Sequence, residues 1–362
     1  MPAPAESLLP MTSLQDLLEA AVGEGVVPGA AALLARADVV EIASAGEVEA
    51  DSIVRLASIT KPITAAAVML LVDEGLVTLD DPVARWLPEL AAPRVVRTPE
   101  SSVEDVVPAE RPVTVEHLLT FRAGWGFPSD FSLPAVAELF EKLPVFGPRE
   151  TPDEWLETLA QVPMLHQPGE AWLYNTCSDI QGVLVARVSG QSFPDFLAER
   201  IFESLGMADA GFYVPTEKLD RLPPYHRPTP GPEVDGTLWT EPPVFPSGAG
   251  GLVATLADWH RFGRMLLADG SGLLSPESVR LMMTDHLTRE QREASTLFLE
   301  GAGWGYGGSV EADGRYGWVG GTGTAAHVAP STDTVGVLFT QVQMAGPTPT
   351  PLMRDFWRYA FS

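Results

Sequence analysis

The sequence predicts an α+β fold (an α/β sandwich), in which an antiparallel sheet flanked by helices is built from both termini around an inserted all-helical subdomain. Strand-like runs gather near the N-terminus and again after Gly303. Between Leu79 and about Pro246 prolines are frequent, short helical segments alternate with loops, and strand signals are scarce. A helical pattern opens the chain and another, Pro351–Phe361, closes it. Residues 1–78 and 247–362 are therefore expected to form the sheet subdomain, and 79–246 the mostly helical insertion.

Taken in order, Thr12–Gly25 reads as a helix, with Thr12 and Gln15 placed for a capping box before LQDLLEAAV. Gly29–Leu34 and Val39–Ala43 are two β-like runs separated by Arg36–Asp38 in a hairpin-like arrangement. Ile53–Ala57 is a short extended stretch that leads into an apolar helix, RLASITKPITAAAVMLLVDEG. Asp153–Gln161, Ser178–Ser189 and Phe193–Leu205 are the clearest helices of the middle region. Ala257–Ala268 and Pro276–Asp285 follow as helices. The expected C-terminal strands are Tyr306–Glu311, Tyr316–Val319, Ala325–Ala329 and Val335–Gln341.

Composition narrows the function. The 362 residues are 45% apolar and 20% charged, as in a globular protein with a sizeable core. The longest apolar run, Ala65–Val72, is far short of the ~18–20 residues that span a bilayer. MPAPAESLLPMTSLQD has neither a basic n-region nor an apolar h-region, so a cytoplasmic location is expected. The lone Cys177 cannot form an intramolecular disulfide. A net charge of −25 disfavours nucleic acid and anionic membranes as partners. Only three lysines (Lys61, Lys142, Lys218) and one asparagine (Asn175) occur, so motifs that need them have few places to be.

Several motifs can be set aside. Gly303–Gly308 matches GxGxxG, but strand-like sequence follows where a dinucleotide site needs a helix. HExxH, Walker A, CxxC and the GxSxG elbow are absent, and the six histidines lack metal-ligand spacing. No metal or organic cofactor is expected.

What remains is Ser58-Ile-Thr-Lys61, with Pro62 next, at the mouth of the apolar helix. A serine at the N-cap or first turn and a lysine three residues on share one face. Burial drives an amine toward neutrality, which makes it a base for the hydroxyl, and the positive helix end favours an oxyanion. The alternative is a capped, solvated helix start.

Beyond that motif, RLASITKPITAAAVMLLVDEGLVTLDDPVARWLPEL, VTVEHLLTFRAGW, QPGEAWLYNTCSDIQGVLVARVSGQSFPDFLAERIFESLGM, SGAGGLVATLADWHRFGRMLL and YGWVGGTGTAAHVAP resemble, in order, segments of the serine β-lactamase/penicillin-binding superfamily. The resemblance is to its class C-like branch, nearest the family VIII-type carboxylesterases. It implies an active site in the cleft between the sheet and the helical subdomain. It implies Ser58 as nucleophile, Lys61 and Tyr174 as the catalytic pair, and Ser58 and Gly321 N–H groups as the oxyanion hole. The family's Tyr-x-Asn is matched at Tyr174, but Thr176 stands third and Asn175 one place early. Lys-Thr-Gly is replaced by Trp318-Val319-Gly320, an apolar wall suited to a neutral substrate. Asn175 and Thr176 are expected near the substrate. Gly124, Trp125 and Phe127 resemble a loop bordering the pocket, although packing explains them equally well. A Lys61 ammonium ~4 Å from the phenol would be worth roughly 4 kcal/mol at an effective dielectric of ~20, enough to lower the Tyr174 pKa.

The expected function is a serine hydrolase of small neutral carboxylic esters. The alternatives are a β-lactamase or D-amino-peptide hydrolase, an acyltransferase, and a non-catalytic binding protein on the same fold.

Overall fold

The computed structural model describes residues 13–144, 150–227 and 239–362. Its strands are β1 (Gly29–Arg36), β2 (Val39–Gly46), β3 (Val54–Arg55), β4 (Arg94–Val96), β5 (Val106–Pro108), β6 (Val253–Ala254), β7 (Gly303–Trp304), β8 (Ser309–Val310), β9 (Tyr316–Gly320), β10 (Thr324–Ala329) and β11 (Thr334–Phe339). Seven of them make one antiparallel sheet in the order β2-β1-β11-β10-β9-β8-β7. The two ends of the chain meet at its centre, where Ala31 of β1 faces Phe339 of β11. The expected α+β architecture is the one found, with the predicted hairpin intact and both strands longer than their sequence patterns suggest.

Helices cover both faces. On β11, Val335 lies against Gly263 of the helix Leu256–Leu267, and the next residue, Gly336, lies against Phe361 of the helix Pro351–Phe361. Successive strand residues point to opposite faces, so these helices sandwich the sheet. The core strands are buried on both sides and read as continuous apolar runs (AALLA in β1, TVGVLF in β11).

The opening helix, α1 (Leu14–Gly23), is capped by Ser13, whose hydroxyl accepts from Asp16 N; Thr12 lies outside the described residues. The next helix, α2 (Lys61–Asp73), is buried from Lys61 through Leu71 and packs on α6 (Thr176–Ser189). Between them the chain forms the β4–β5 hairpin, α3 (Val115–Leu119), α4 (Pro134–Lys142) and α5 (Pro152–Gln161). The strand expected over Tyr306–Glu311 is broken. Gly305 N donates to Gly308 O, and Gly307 adopts φ +78° with its Cα pressed against α2. Among the described residues no helix is long and apolar enough to cross a membrane.

Candidate active site

Ser58 does not cap α2. It sits in a 3₁₀ turn, Ala57–Thr60, immediately before the helix, and Ala57 holds φ +48° to enter it. The turn is pinned from three sides. Leu56 N donates to Leu252 O, Trp259 Nε1 to Ile59 O, and Thr324 Oγ1 to Leu56 O. Gly320 passes so close that a Cβ there would overlap Leu56 O and lie 3.2 Å from Ser58 N. The Ser58 turn is therefore held against the end of β9 by a residue with no side chain.

Lys61 Nζ is fully buried and donates to Ser58 Oγ at 3.0 Å, Asn175 Oδ1 at 2.9 Å and Ala249 O at 2.7 Å. Desolvation pushes the amine down to about 7, against the raising influence of the Asp179 charge. Asp179 shapes this cage as well, since its Oδ1 accepts from Ser247 Oγ (2.6 Å) and Ala249 N (3.1 Å). Thr64 Oγ1 donates to Gly248 O, so the segment Ser247–Gly251 is clamped between α2 and α6 with the Ala249 carbonyl aimed at Lys61.

Asn175 reaches Lys61 because the backbone turns sharply at it. Its φ/ψ of +82°/−64° with Thr176 N donating to Tyr174 O is a γ-turn, a strained conformation for a residue with a side chain. Tyr174 is held by backbone pairing with Phe127. Its phenol oxygen accepts from Trp318 Nε1 at 2.7 Å and lies within hydrogen-bonding reach of Ser58. Lys61 Nζ sits 4.5 Å over the ring centroid, and the expected lowering of the phenol does not occur. Burial pushes Tyr174 up to about 12, with the Ser58 and Trp318 hydrogen bonds opposing it.

Ser58, Tyr174, Asn175, Trp318, Val319 and Gly321 open onto one cavity of about 650 Å³. Its wall is rich in aromatic rings, and among its described lining residues Glu241 is the only one with a formal charge at neutral pH. An amine that is half neutral at pH 7, one hydrogen bond from a serine beside a protonated phenol, can support acyl transfer through the serine.

The beta-lactamase family profile matches residues 14–352, nearly the whole chain. The chain belongs to the beta-lactamase family. As a beta-lactamase-family protein it is an enzyme, a serine hydrolase. It is 38% identical over 309 residues to Protein Rv1367c of Mycobacterium tuberculosis, covering 79% of this chain and 76% of that one. It is 31% identical over 280 residues to Esterase EstB of Burkholderia gladioli, covering 71% and 66%. Among solved structures, EstCE1, "a hydrolase with promiscuous acyltransferase activity", shares the fold with a TM-score of 0.80 at 22% identity over 96% of this chain and 97% of that one.

Not every residue marked in the sequence faces this beta-lactamase-family cavity. Gly124 and Trp125 are packing residues: Gly124 O accepts from Leu165 N, and the buried Trp125 indole donates to Val162 O. Only Phe127 of that loop lines the cavity. Thr176 is buried at the start of α6, and Gly320 is the spacer behind Ser58. The Trp318 indole does not offer its N–H to a ligand, because Tyr174 already accepts it. Sequence reasoning missed Asp179, Ser247 and Ala249. The segments that hold them were legible as family-like, but their roles depend on a carbonyl direction that no residue type encodes.

Proposed function

We propose that the chain is a carboxylesterase in which Ser58 attacks neutral esters with Lys61 as its base. The supporting observation is the set of partners around Nζ. Asn175 Oδ1 and Ala249 O are acceptors only, so a neutral amine spends both its N–H groups on them. Its lone pair is then left facing the Ser58 hydroxyl. Ser58 Oγ bonds to the ester carbon while its proton passes to Lys61. The tetrahedral oxyanion is received by the Ser58 and Gly321 N–H groups. The carbon–oxygen bond to the alcohol breaks, Tyr174 protonates the departing oxygen, and Lys61 restores the phenol proton. Water then bonds to the acyl carbon while its proton passes to the same pair, the bond from that carbon to Ser58 Oγ breaks, Oγ takes the proton back, and the acid is released.

The cavity wall favours an ester over a penicillin or a peptide carboxylate, since no lysine or arginine is among its described lining residues. A second reading, transfer of the acyl group to an alcohol, is favoured by the extent of aromatic wall that an acceptor could occupy.

One panel tests these readings. Wild type should hydrolyse p-nitrophenyl esters and leave a chromogenic cephalosporin almost untouched, Ser58→Ala should lose ester turnover, and a fluorophosphonate should label Ser58. Ester turnover retained by Ser58→Ala would sink the serine mechanism. Fast cephalosporin cleavage with negligible ester turnover would replace the esterase reading by a β-lactamase. Benzyl alcohol diverting most of the product to a benzyl ester would favour acyl transfer.

A further inference from the structure

Resting on the esterase reading, we infer that the substrates are esters whose alcohol and acid arms are both bulky and apolar, each arm having its own aromatic bank. The first bank surrounds Tyr174. Its ring lies 4.7 Å from Phe298, its backbone pairs with Phe127, Phe127 stacks on Phe140 at 4.6 Å, and Phe131 closes the group at 5.9–6.2 Å from Phe127, Phe140 and Phe298. The second bank is Phe212, which lies against Gly251, with Tyr225, Trp239 and the segment Glu241–Phe245, all lining the cavity. Tyr225 and Trp239 are 6.3 Å apart and share the Arg55 guanidinium, which lies 5.7 and 5.4 Å from their ring centres.

The proton donor assigns the arms. The departing alcohol oxygen must reach the Tyr174 phenol, so the alcohol arm leaves along the bank that carries Tyr174, and the acid arm takes the other. Size follows from the space. A cavity of about 650 Å³ lies within the ~300–1,000 Å³ that encloses drug-sized ligands, and an acetyl or methyl group would leave most of it unfilled. At the mouth Phe131 is 41% and Val244 63% exposed, and both line the cavity, so each bank reaches solvent with an uncovered apolar side chain that a long arm would bury. Charge follows from the wall. Glu241 disfavours an anionic arm, which counts against acyl donors carried on phosphate-rich groups.

The test is a grid of kcat/KM values. Methyl and 2-naphthylmethyl esters of one acid vary the alcohol arm, and p-nitrophenyl acetate and p-nitrophenyl 3-phenylpropanoate vary the acid arm. Each enlargement should raise kcat/KM at least tenfold in wild type. Phe131→Ala should cut the alcohol-arm ratio at least threefold, and Val244→Asp the acid-arm ratio. Ratios within twofold of one in wild type, or the two variants acting on the opposite arms, would overturn the inference. Ser58→Ala, run alongside, separates the two levels. Turnover that survives it overturns the serine mechanism, whereas Ser58-dependent turnover that is flat in arm size overturns the assignment of the arms.

Discussion

Lys61 carries the sharpest residue-scale expectations. Its amine titrates near 7 because it is fully buried, so the base form is lost as pH falls through that value. Ester kcat/KM should rise with pH, about tenfold per unit on the acid side, and level off above pH 7 to 8. With Tyr174 held up at about 12, its ionisation adds no alkaline limb below pH 10. Stopped-flow acylation rates at several pH values check this. The Asp179 charge raises Lys61, so Asp179→Asn should move the acid limb to lower pH while loosening the Ala249 carbonyl and reducing kcat. A fall in kcat with an unmoved limb would assign Asp179 a purely packing role. Trp318→Phe keeps the ring and removes the N–H that Tyr174 accepts, so kcat should drop about tenfold, the scale of one lost hydrogen bond of ~1.4 kcal/mol, with KM little changed. The Ser58–Lys61 pair was legible from residue type and spacing and Tyr174 from the resemblance to family segments, and the structure brings the three side chains together. Asn175 was expected near the substrate, but its bond to Lys61 was not legible, since only the γ-turn brings the amide one place early onto that amine.

At the scale of elements, patterns were readable where an element satisfies itself. The closing helix Pro351–Phe361 has its own N-cap at Thr350 and a strong apolar stripe, and its limits match expectation. The β4–β5 hairpin, α3 and α4 were missed because they are short and proline-flanked, and they are set by tertiary contact: Val96 N, for example, donates to Met164 O. The broken strand at Gly303–Val310 has the same origin, since Gly307 must let the α2 backbone approach. A Cβ there would lie 2.5 Å from Lys61 O and 2.9 Å from Ala65 Cβ, at φ +78°. Gly307→Ala should cost about 2 kcal/mol in urea unfolding and slow acylation by shifting the first turn of α2. Gly320→Ala should do the reverse in proportion. It should lower kcat/KM by about 100-fold or more through the Ser58 turn and oxyanion donors, with a smaller loss of stability.

For the whole molecule, one buried group links the sheet to acid tolerance. His327 on β10 is 2% exposed, lies edge-on to Trp357 of the closing helix, and is held neutral down to about 3 by burial. Below its ordinary value of ~6.5 the unfolded chain binds a proton that the folded chain refuses, so stability falls with pH at about 1.4 kcal/mol per unit. Urea titrations at pH 7 and 5 should show roughly 2 kcal/mol lost, and His327→Gln should flatten that dependence. A dependence unchanged by the substitution would trace acid sensitivity to other groups. Strand-like runs at both ends and an apolar helical run by themselves determined the sheet built from both ends and the buried helix after Ser58, because each is a property of local sequence, while the neutral wall at Trp318 was read through the resemblance to family segments. Tertiary structure decided the rest. The direction of the Ala249 carbonyl, the Asn175 turn, the Trp318–Tyr174 bond and the two aromatic banks all come from segments distant in the chain, and burial at their junction sets the protons on Lys61 and Tyr174.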